Sequence, residues 1–135
     1  MSASNSNSTG PMRSALGRVR HLGSAKEGVQ HWWAQRLTAV ALVPLLLWFV
    51  ASIAWLAGAD RAAFVGWVAQ PLNAILMVVL LAAGFHHMQL GLQVVIEDYV
   101  HGEGAKLASI VFVKFAALLF ALVGIFAVLK IAFGA

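Results

Sequence analysis

The sequence contains no cysteine among its 135 residues. This absence excludes a disulfide framework, a thiolate metal site, a cysteine nucleophile and covalent haem attachment through Cys-x-x-Cys-His. Charge is also scarce, because Asp, Glu, Lys and Arg make up only 10% of the residues, against about 25% in typical soluble domains. So few charged side chains do not cover the surface of a soluble protein, and we infer a single-domain membrane protein.

The residues that are present are mostly apolar, at 61% of the chain with a mean hydropathy of +0.87. The sequence pI of about 10.2 raises the question of nucleic-acid binding. The basic residues cluster before the first apolar run, however, so membrane topology explains them better than nucleic acid does. The apolar runs are long and lack strand-like alternation, which favours spanning helices and excludes a β-barrel.

Three apolar runs are each long enough to cross a bilayer as a helix. We predict spans over residues 37–57, 71–96 and 107–129, with Pro71 starting the second. The segment 62–70 is expected in the membrane interface. The chain then divides into a flexible basic tail (1–30) and a transmembrane anchor domain (31–135). The predicted fold class is an all-α membrane protein with three transmembrane helices.

The distribution of Lys and Arg predicts the orientation of these spans. Two basic residues, Arg61 and Lys130, flank the spans on one side of the membrane. Seven flank them on the side of the N-terminus: Arg13, Arg18, Arg20, Lys26, Arg36, Lys106 and Lys114. Since basic flanks favour the inside, the N-terminus and the loop between the second and third spans are predicted to be cytoplasmic.

The second span carries a stripe of residues suited to a bulky flat group. Positions three, four and eleven apart share one helix face, so Gly84, His87, Gly91 and Asp98 align. Glycines on both sides of His87 leave room for a porphyrin held by the imidazole. The alternative is ordinary small-residue helix packing, which is common in membranes. An ionisable side chain at this depth is costly and often functional. The alternative, equally open from the sequence, is that His86 and His87 only hydrogen-bond to a neighbouring helix.

The neighbouring His86 lies on a different stripe, with Gln89 and Gln93, which indicates interhelical hydrogen bonding. No further histidine of the chain lies at the depth of His87. A six-coordinate haem would therefore take its second axial ligand from another chain. The haem hypothesis thus predicts a helical bundle completed by a partner protein.

Asp98, Tyr99 and His101 stand at the inside end of the second span. A tyrosine at this boundary is often only an interfacial anchor. The alternative is that its hydroxyl donates to a quinone carbonyl, with Asp98 or His101 supplying protons. Asp98 lies about 16 Å along the helix from His87. A boundary site would therefore be within electron-transfer reach of a haem in the membrane.

Arg36 begins the first span after the tryptophans Trp32 and Trp33. Two interpretations are equally open. Arg36 is either a positive-inside anchor beside an aromatic belt, or a partner for an acidic group in the bundle such as a haem propionate.

Two blocks of sequence together resemble the small, cytochrome b-type hydrophobic membrane anchors of succinate dehydrogenase (complex II). One block is Arg36-Leu37-Thr38-Ala39, and the other is His87-x-x-x-Gly91 continuing to Asp98-Tyr99-Val100-His101-Gly102. The three spans, the inside N-terminus and the stretch Ser14-Ala15-Leu16-Gly17-Arg18 agree with this family. The resemblance covers most of the chain after residue 13.

The resemblance implies a haem b shared with a second membrane protein of the complex, its cytochrome b subunit, one histidine coming from each chain. It implies an iron–sulfur subunit and a flavoprotein subunit on the inside face, passing electrons from succinate to ubiquinone in the tricarboxylic acid cycle and respiratory chain. By position, His87 matches the haem ligand, Tyr99 the quinone-bonding tyrosine with Asp98 beside it, and Arg36 an arginine near the propionates. Gly84 and Gly91 flank the haem position. No residue of this chain would be catalytic alone.

Two other functions remain open at this stage. One is the anchor of a fumarate reductase-type complex, and the other is a structural membrane protein without a cofactor. No inverted repeat of the kind found in many transporters is present in the sequence. We expect a multi-pass protein of the bacterial cytoplasmic membrane in preference to the mitochondrial inner membrane, in contact with lipid and not with nucleic acid.

Overall fold

A computed structural model describes residues 26–134, with side chains from residue 28 onward. This part of the chain consists of helices and short connections. In chain order the helices are α1 (Lys26–Trp55), α2 (Arg61–Ala69), α3 (Pro71–Tyr99) and α4 (Glu103–Ala132). The predicted all-α class is confirmed. The basic residues Arg13, Arg18 and Arg20 and the stretch 14–18 lie outside the described residues.

The three predicted spans are confirmed, because α1, α3 and α4 are all long and apolar enough to cross a membrane. The helices are longer than the apolar runs that predict them: α1 begins at Lys26, α3 continues to Tyr99, and α4 covers Glu103–Ala132. Helical hydrogen bonding continues through the interface, where water and headgroups solvate polar side chains. Residues 26–30, predicted as part of the flexible tail, are therefore helical.

The interfacial segment forms the short helix α2. Asp60 caps its first turn, since the Asp60 side chain accepts a hydrogen bond of 2.8 Å from the backbone N–H of Ala63. Val68 of α2 is only 2% exposed and packs with Ala74 of α3 and Val128 of α4. The α2 helix therefore joins the other helices at the end of the bundle far from the N-terminus.

Aromatic and amide side chains tie α2 to its neighbours. The ring of Trp67 stacks on that of Trp48 in α1, with centroids 5.6 Å apart. The buried Asn73 of α3 donates a hydrogen bond of 2.8 Å from Nδ2 to the carbonyl of Trp67. The buried amide of Asn73 is therefore hydrogen-bonded, as buried polar groups usually are, and its partner lies near the end of α2.

Helix α3 is the centre of the arrangement, packed against α1 on one side and α4 on the other. Against α4, Phe85 stacks on Phe120, and Leu81 lies against Gly124 so closely that a Cβ there would come within 3.1 Å of it. Small residues that admit a neighbouring side chain are typical of helix contacts in membranes. The face of α3 that carries Leu81 and Phe85 is therefore closely packed against α4.

Candidate functional site

The predicted ligand His87 lies on the face of α3 that meets α1. Its ring nitrogen Nδ1 is 3.0 Å from the hydroxyl oxygen of Thr38 in α1. The same hydroxyl lies 2.8 Å from the carbonyl oxygen of Ala34 and 3.1 Å from that of Gln35. His87 is only partly buried, and its other ring nitrogen, Nε2, makes no hydrogen bond within residues 28–134.

The glycines Gly84 and Gly91 also face α1. A Cβ at Gly84 would come 3.9 Å from Leu42 Cδ2, and one at Gly91 would come 3.9 Å from Gln35 Nε2. These are ordinary van der Waals distances, so a Cβ would fit at either position, and the two glycines mark the face of α3 that meets α1 on either side of His87. A shallow apolar groove of about 240 Å³ opens beside Gly84, with Phe49 and Phe85 among its lining residues.

The adjacent His86 is exposed and lies on the other side of α3. It lines a groove of about 230 Å³ toward α4, together with Gln89 and Ala117. The hydrogen bond of Gln93 is made within α3, to Glu97 Oε1 at 2.8 Å. This bond lies within one helix, and the interhelical bonding expected of the His86 stripe stays a prediction.

The side chain of Arg36 lies away from the His87 face of α1. Its guanidinium carbon is 5.4 Å from the ring centroid of Trp32, a cation–π arrangement on the helix surface. Arg36 is exposed and stands two residues before Thr38, about 200° around the helix. The structure thus places Arg36 near the depth of Thr38 but does not bring it into contact with His87.

Asp98 and Tyr99 end α3 with exposed side chains, Tyr99 being 77% accessible. The following turn is organised by His101, whose Nδ1 is 3.0 Å from the backbone carbonyl of Tyr99. The carboxyl of Asp98 and the hydroxyl of Tyr99 make no hydrogen bond within the described part of the chain. Both groups are free to meet a ligand or a neighbouring protein at this end of α3.

Comparison with known proteins places this arrangement in a family. Residues 10–121 match the family of succinate dehydrogenase/fumarate reductase transmembrane subunits. The chain belongs to this family. The succinate dehydrogenase hydrophobic membrane anchor subunit of Rickettsia bellii is 32% identical over 107 residues, which cover 79% of this chain and 86% of that protein.

Two further membrane anchors of the family are similar over most of their length. The succinate dehydrogenase membrane anchor subunit of Reclinomonas americana is 30% identical over 104 residues, covering 75% of this chain and 87% of that protein. The hydrophobic membrane anchor subunit of Paracoccus denitrificans is 34% identical over 91 residues, covering 67% and 70%. The resemblance inferred from the two sequence blocks is confirmed.

The residues of this transmembrane protein suit a haem ligated from two chains. No cluster of three metal-binding side chains occurs within residues 26–134, but a haem iron needs only one axial imidazole from each side. His87 offers one, with Nδ1 engaged and Nε2 unengaged among the described residues. An imidazole held through one nitrogen and open at the other is the usual arrangement of a metal-ligating histidine.

Sequence reasoning gave no role to Thr38 or to His31. Thr38 is a hydroxyl in an otherwise apolar run and belongs to the Arg36–Ala39 block, which is the signal that pointed to it. Its partner is 49 positions away, so only the packing of α1 on α3 reveals the contact. His31 lies near the start of α1, and its buried Nε2 has no hydrogen-bond partner within residues 28–134.

Proposed function

We propose that this chain is the hydrophobic membrane anchor subunit of a succinate dehydrogenase. The family match and the three membrane-anchor relatives support this function. The three apolar helices hold the chain in the bilayer. A flavoprotein subunit and an iron–sulfur subunit, which the resemblance implies, would carry the succinate chemistry. The chain is a non-catalytic part of a succinate:quinone oxidoreductase.

Haem b is the proposed cofactor, shared with a partner cytochrome b subunit. The observation that supports this cofactor is the hydrogen bonding of His87: its Nδ1 meets the Thr38 hydroxyl, and its Nε2 has no hydrogen bond among the described residues. When bound, haem b supplies a one-electron carrier within the membrane. His87 would ligate the haem iron from this chain, with Gly84 and Gly91 on the same face of α3. The cation–π contact of Arg36 with Trp32, on the side of α1 away from His87, supports the boundary-anchor interpretation of Arg36 and not a propionate partner.

Ubiquinone is the proposed electron acceptor, at the Asp98–Tyr99 end of α3. The exposed Tyr99 hydroxyl would donate a hydrogen bond to a quinone carbonyl, and Asp98 would supply protons from the aqueous side. The two residues lie about 16 Å along α3 from His87. The iron–sulfur protein and the partner cytochrome b would complete this site from the same side of the membrane.

A fumarate reductase-type anchor is the second candidate, because the family description covers both complexes. The three named relatives all belong to succinate dehydrogenases, which favours the first candidate. The contacts of Gly84 and Gly91 with α1 also suit a cofactor-free membrane protein. An optical spectrum separates that alternative from the haem protein.

The decisive experiment is an absorption spectrum of the purified complex carrying substitutions at the two adjacent histidines. His87→Ala should abolish the reduced b-type bands, because it removes the proposed axial nitrogen. His86→Ala is the matched control, as it changes the same helix one position away on a face directed toward α4, and its spectrum should stay close to wild type. Gel electrophoresis checks that both variant complexes retain all their protein chains.

A wild-type spectrum in assembled His87→Ala would show that the ligand lies elsewhere. Loss of the bands in His86→Ala alone would exchange the roles of the two histidines. A purified wild-type complex without b-type bands would favour the cofactor-free membrane protein.

A further inference from the structure

The hydroxyl of Thr38 is the one polar group of α1 that reaches His87 among the described residues, and its hydrogen-bonding capacity is limited. A threonine hydroxyl has one proton to donate and two lone pairs to accept with. Three atoms surround it: the carbonyl oxygens of Ala34 and Gln35 and the ring nitrogen Nδ1 of His87. Carbonyl oxygens only accept, so the position of the single proton decides the role of the hydroxyl toward His87.

The helical setting of Thr38 favours donation to the backbone. The contact with Ala34 is 2.8 Å, the separation typical of an O–H···O hydrogen bond. The contact with His87 Nδ1, at 3.0 Å, fits a hydrogen bond in either direction. Threonines in helices commonly donate to the carbonyl four residues earlier. The hydroxyl proton is then used within α1, and the lone pairs are directed to His87.

We propose that Thr38 is the positioning residue of the haem ligand: its hydroxyl accepts a hydrogen bond from Nδ1–H of His87. A neutral imidazole carries a proton on only one nitrogen, so this bond leaves the lone pair of Nε2 free for the iron. It also fixes the ring plane and increases the basicity of the ligand. This role rests on the proposed function, in which His87 is the axial ligand.

The contact between α1 and α3 would then orient the His87 ring as well as pack the two helices. The hydrogen bond from the Thr38 hydroxyl to the carbonyl of Ala34 restricts rotation of the Thr38 side chain. The acceptor oxygen is therefore held in place relative to the backbone of α1. Gly91 lies beside Gln35 on one side of this contact, and Gly84 lies beside Leu42 on the other. The Thr38–His87 contact therefore lies between two positions where α1 and α3 also meet.

The test replaces Thr38 in the complete complex. Thr38→Val keeps the branched shape but removes the hydroxyl, whereas Thr38→Ser keeps the hydroxyl and removes only a methyl group. Ser52→Ala is the matched control. Ser52 makes the same type of bond within α1, to the carbonyl of Trp48 at 2.8 Å, and no hydrogen bond to a second helix among the described residues.

Three readouts separate a positioning role from a structural one: haem retained per complex, haem midpoint potential, and carbon monoxide binding to the reduced haem. Loss of an outer hydrogen bond to a ligand typically weakens the site by about 10- to 100-fold. Thr38→Val should lose haem more readily, shift the potential and admit carbon monoxide as the imidazole loosens. Thr38→Ser and Ser52→Ala should match the wild type in all three measurements.

The possible results distinguish this inference from the proposed function. If His87→Ala loses the haem while assembled Thr38→Val matches the wild type in all three readouts, the role of Thr38 is overturned and the proposed function stands. If His87→Ala keeps its haem, the ligand assignment itself fails. If Thr38→Val does not assemble, Thr38→Ala, which adds no bulk, gives the same readouts with the same expected and contradicting results. A fall in complex yield with unchanged haem properties indicates packing only and overturns the inference.

Discussion

Two adjacent histidines on α3 have different surroundings because consecutive residues of a helix are about 100° apart. His87 is directed to α1 and meets the Thr38 hydroxyl. His86 is exposed and lines a groove toward α4. The sequence assigned them to different stripes, and the structure places those stripes against different helices. His86 and His87 lie at nearly the same depth in the membrane, so it is the helix face that distinguishes the proposed haem ligand from its neighbour.

Tyr99 offers a test of the proposed quinone site at the level of one oxygen atom. Tyr99→Phe removes only the hydroxyl, so an assembled complex should lose about tenfold or more in quinone reduction, the effect of one hydrogen bond of about 1.5 kcal/mol. Oxidation of succinate by an artificial acceptor should be unchanged, because the other proteins of the complex carry it. Measuring both rates on one preparation decides between these outcomes.

The two rates also supply the contradicting outcomes. An equal fall in both rates would mean that the substitution impairs assembly. Unchanged quinone reduction would assign Tyr99 to the interface as an aromatic anchor.

Single residues also mark the limit of sequence reasoning for the site. His87, Gly84 and Gly91 follow from helix periodicity, which depends only on neighbours along the chain. The Thr38–His87 contact depends on how two helices pack, and residues 49 positions apart carry no local signal of their contact. The same limit applies to Arg36, which the sequence relates to a propionate and the structure places over Trp32.

The packing of α3 on α4 depends on Gly124. A Cβ at this position would lie 3.1 Å from Leu81 Cδ1, so Leu81 must shift by a few tenths of an ångström, and the two methyl groups of valine need further room beyond that. Gly124→Val should therefore destabilise the complex by about 1–3 kcal/mol and lower its Tm in a thermal scan of the purified complex. Gly104→Val is the control on the same helix, since a Cβ at Gly104 meets nothing within 4 Å.

The contrast between the two glycines makes this prediction specific. Equal Tm values for Gly124→Val and the wild type would show that the α3–α4 contact yields easily. An equal loss in both variants would instead assign the effect to valine in α4, whatever its position.

At the level of helices, the sequence predicts the spans well and their ends less well. The apolar runs locate the parts of α1, α3 and α4 that suit the hydrocarbon core, because hydropathy measures the preference of side chains for lipid over water. It does not locate the polar extension of α1 back to Lys26. The helix α2 was expected only as an interfacial segment, although Asp60 as a cap and Pro71 as a following helix start bound it.

For the molecule as a whole, the outward surface is strongly apolar. Only eight hydrophobic residues are buried in the described part of the chain, while large side chains such as Trp55, Phe112 and Phe126 are exposed. Apolar surface of this extent needs lipid or another protein against it. The three spans would therefore form one side of the proposed haem site. A ligand from a partner protein, opposite His87, would complete that site.

The orientation of the three spans in the membrane is set by their basic flanks. Seven basic residues on the N-terminal side against two on the other should retain the N-terminus in the cytoplasm, since positively charged flanks resist translocation. A reporter fused after Gly134 should then lie outside the cytoplasm. At this point an alkaline phosphatase fusion should be active, and a green fluorescent protein fusion should not fluoresce. A fusion after Gly102, in the α3–α4 connection, should give the opposite pattern and serves as the internal control. The reversed pattern at both points would place Asp98 and Tyr99 on the outer side, away from any cytoplasmic iron–sulfur protein, and the proposed quinone site would fail with it.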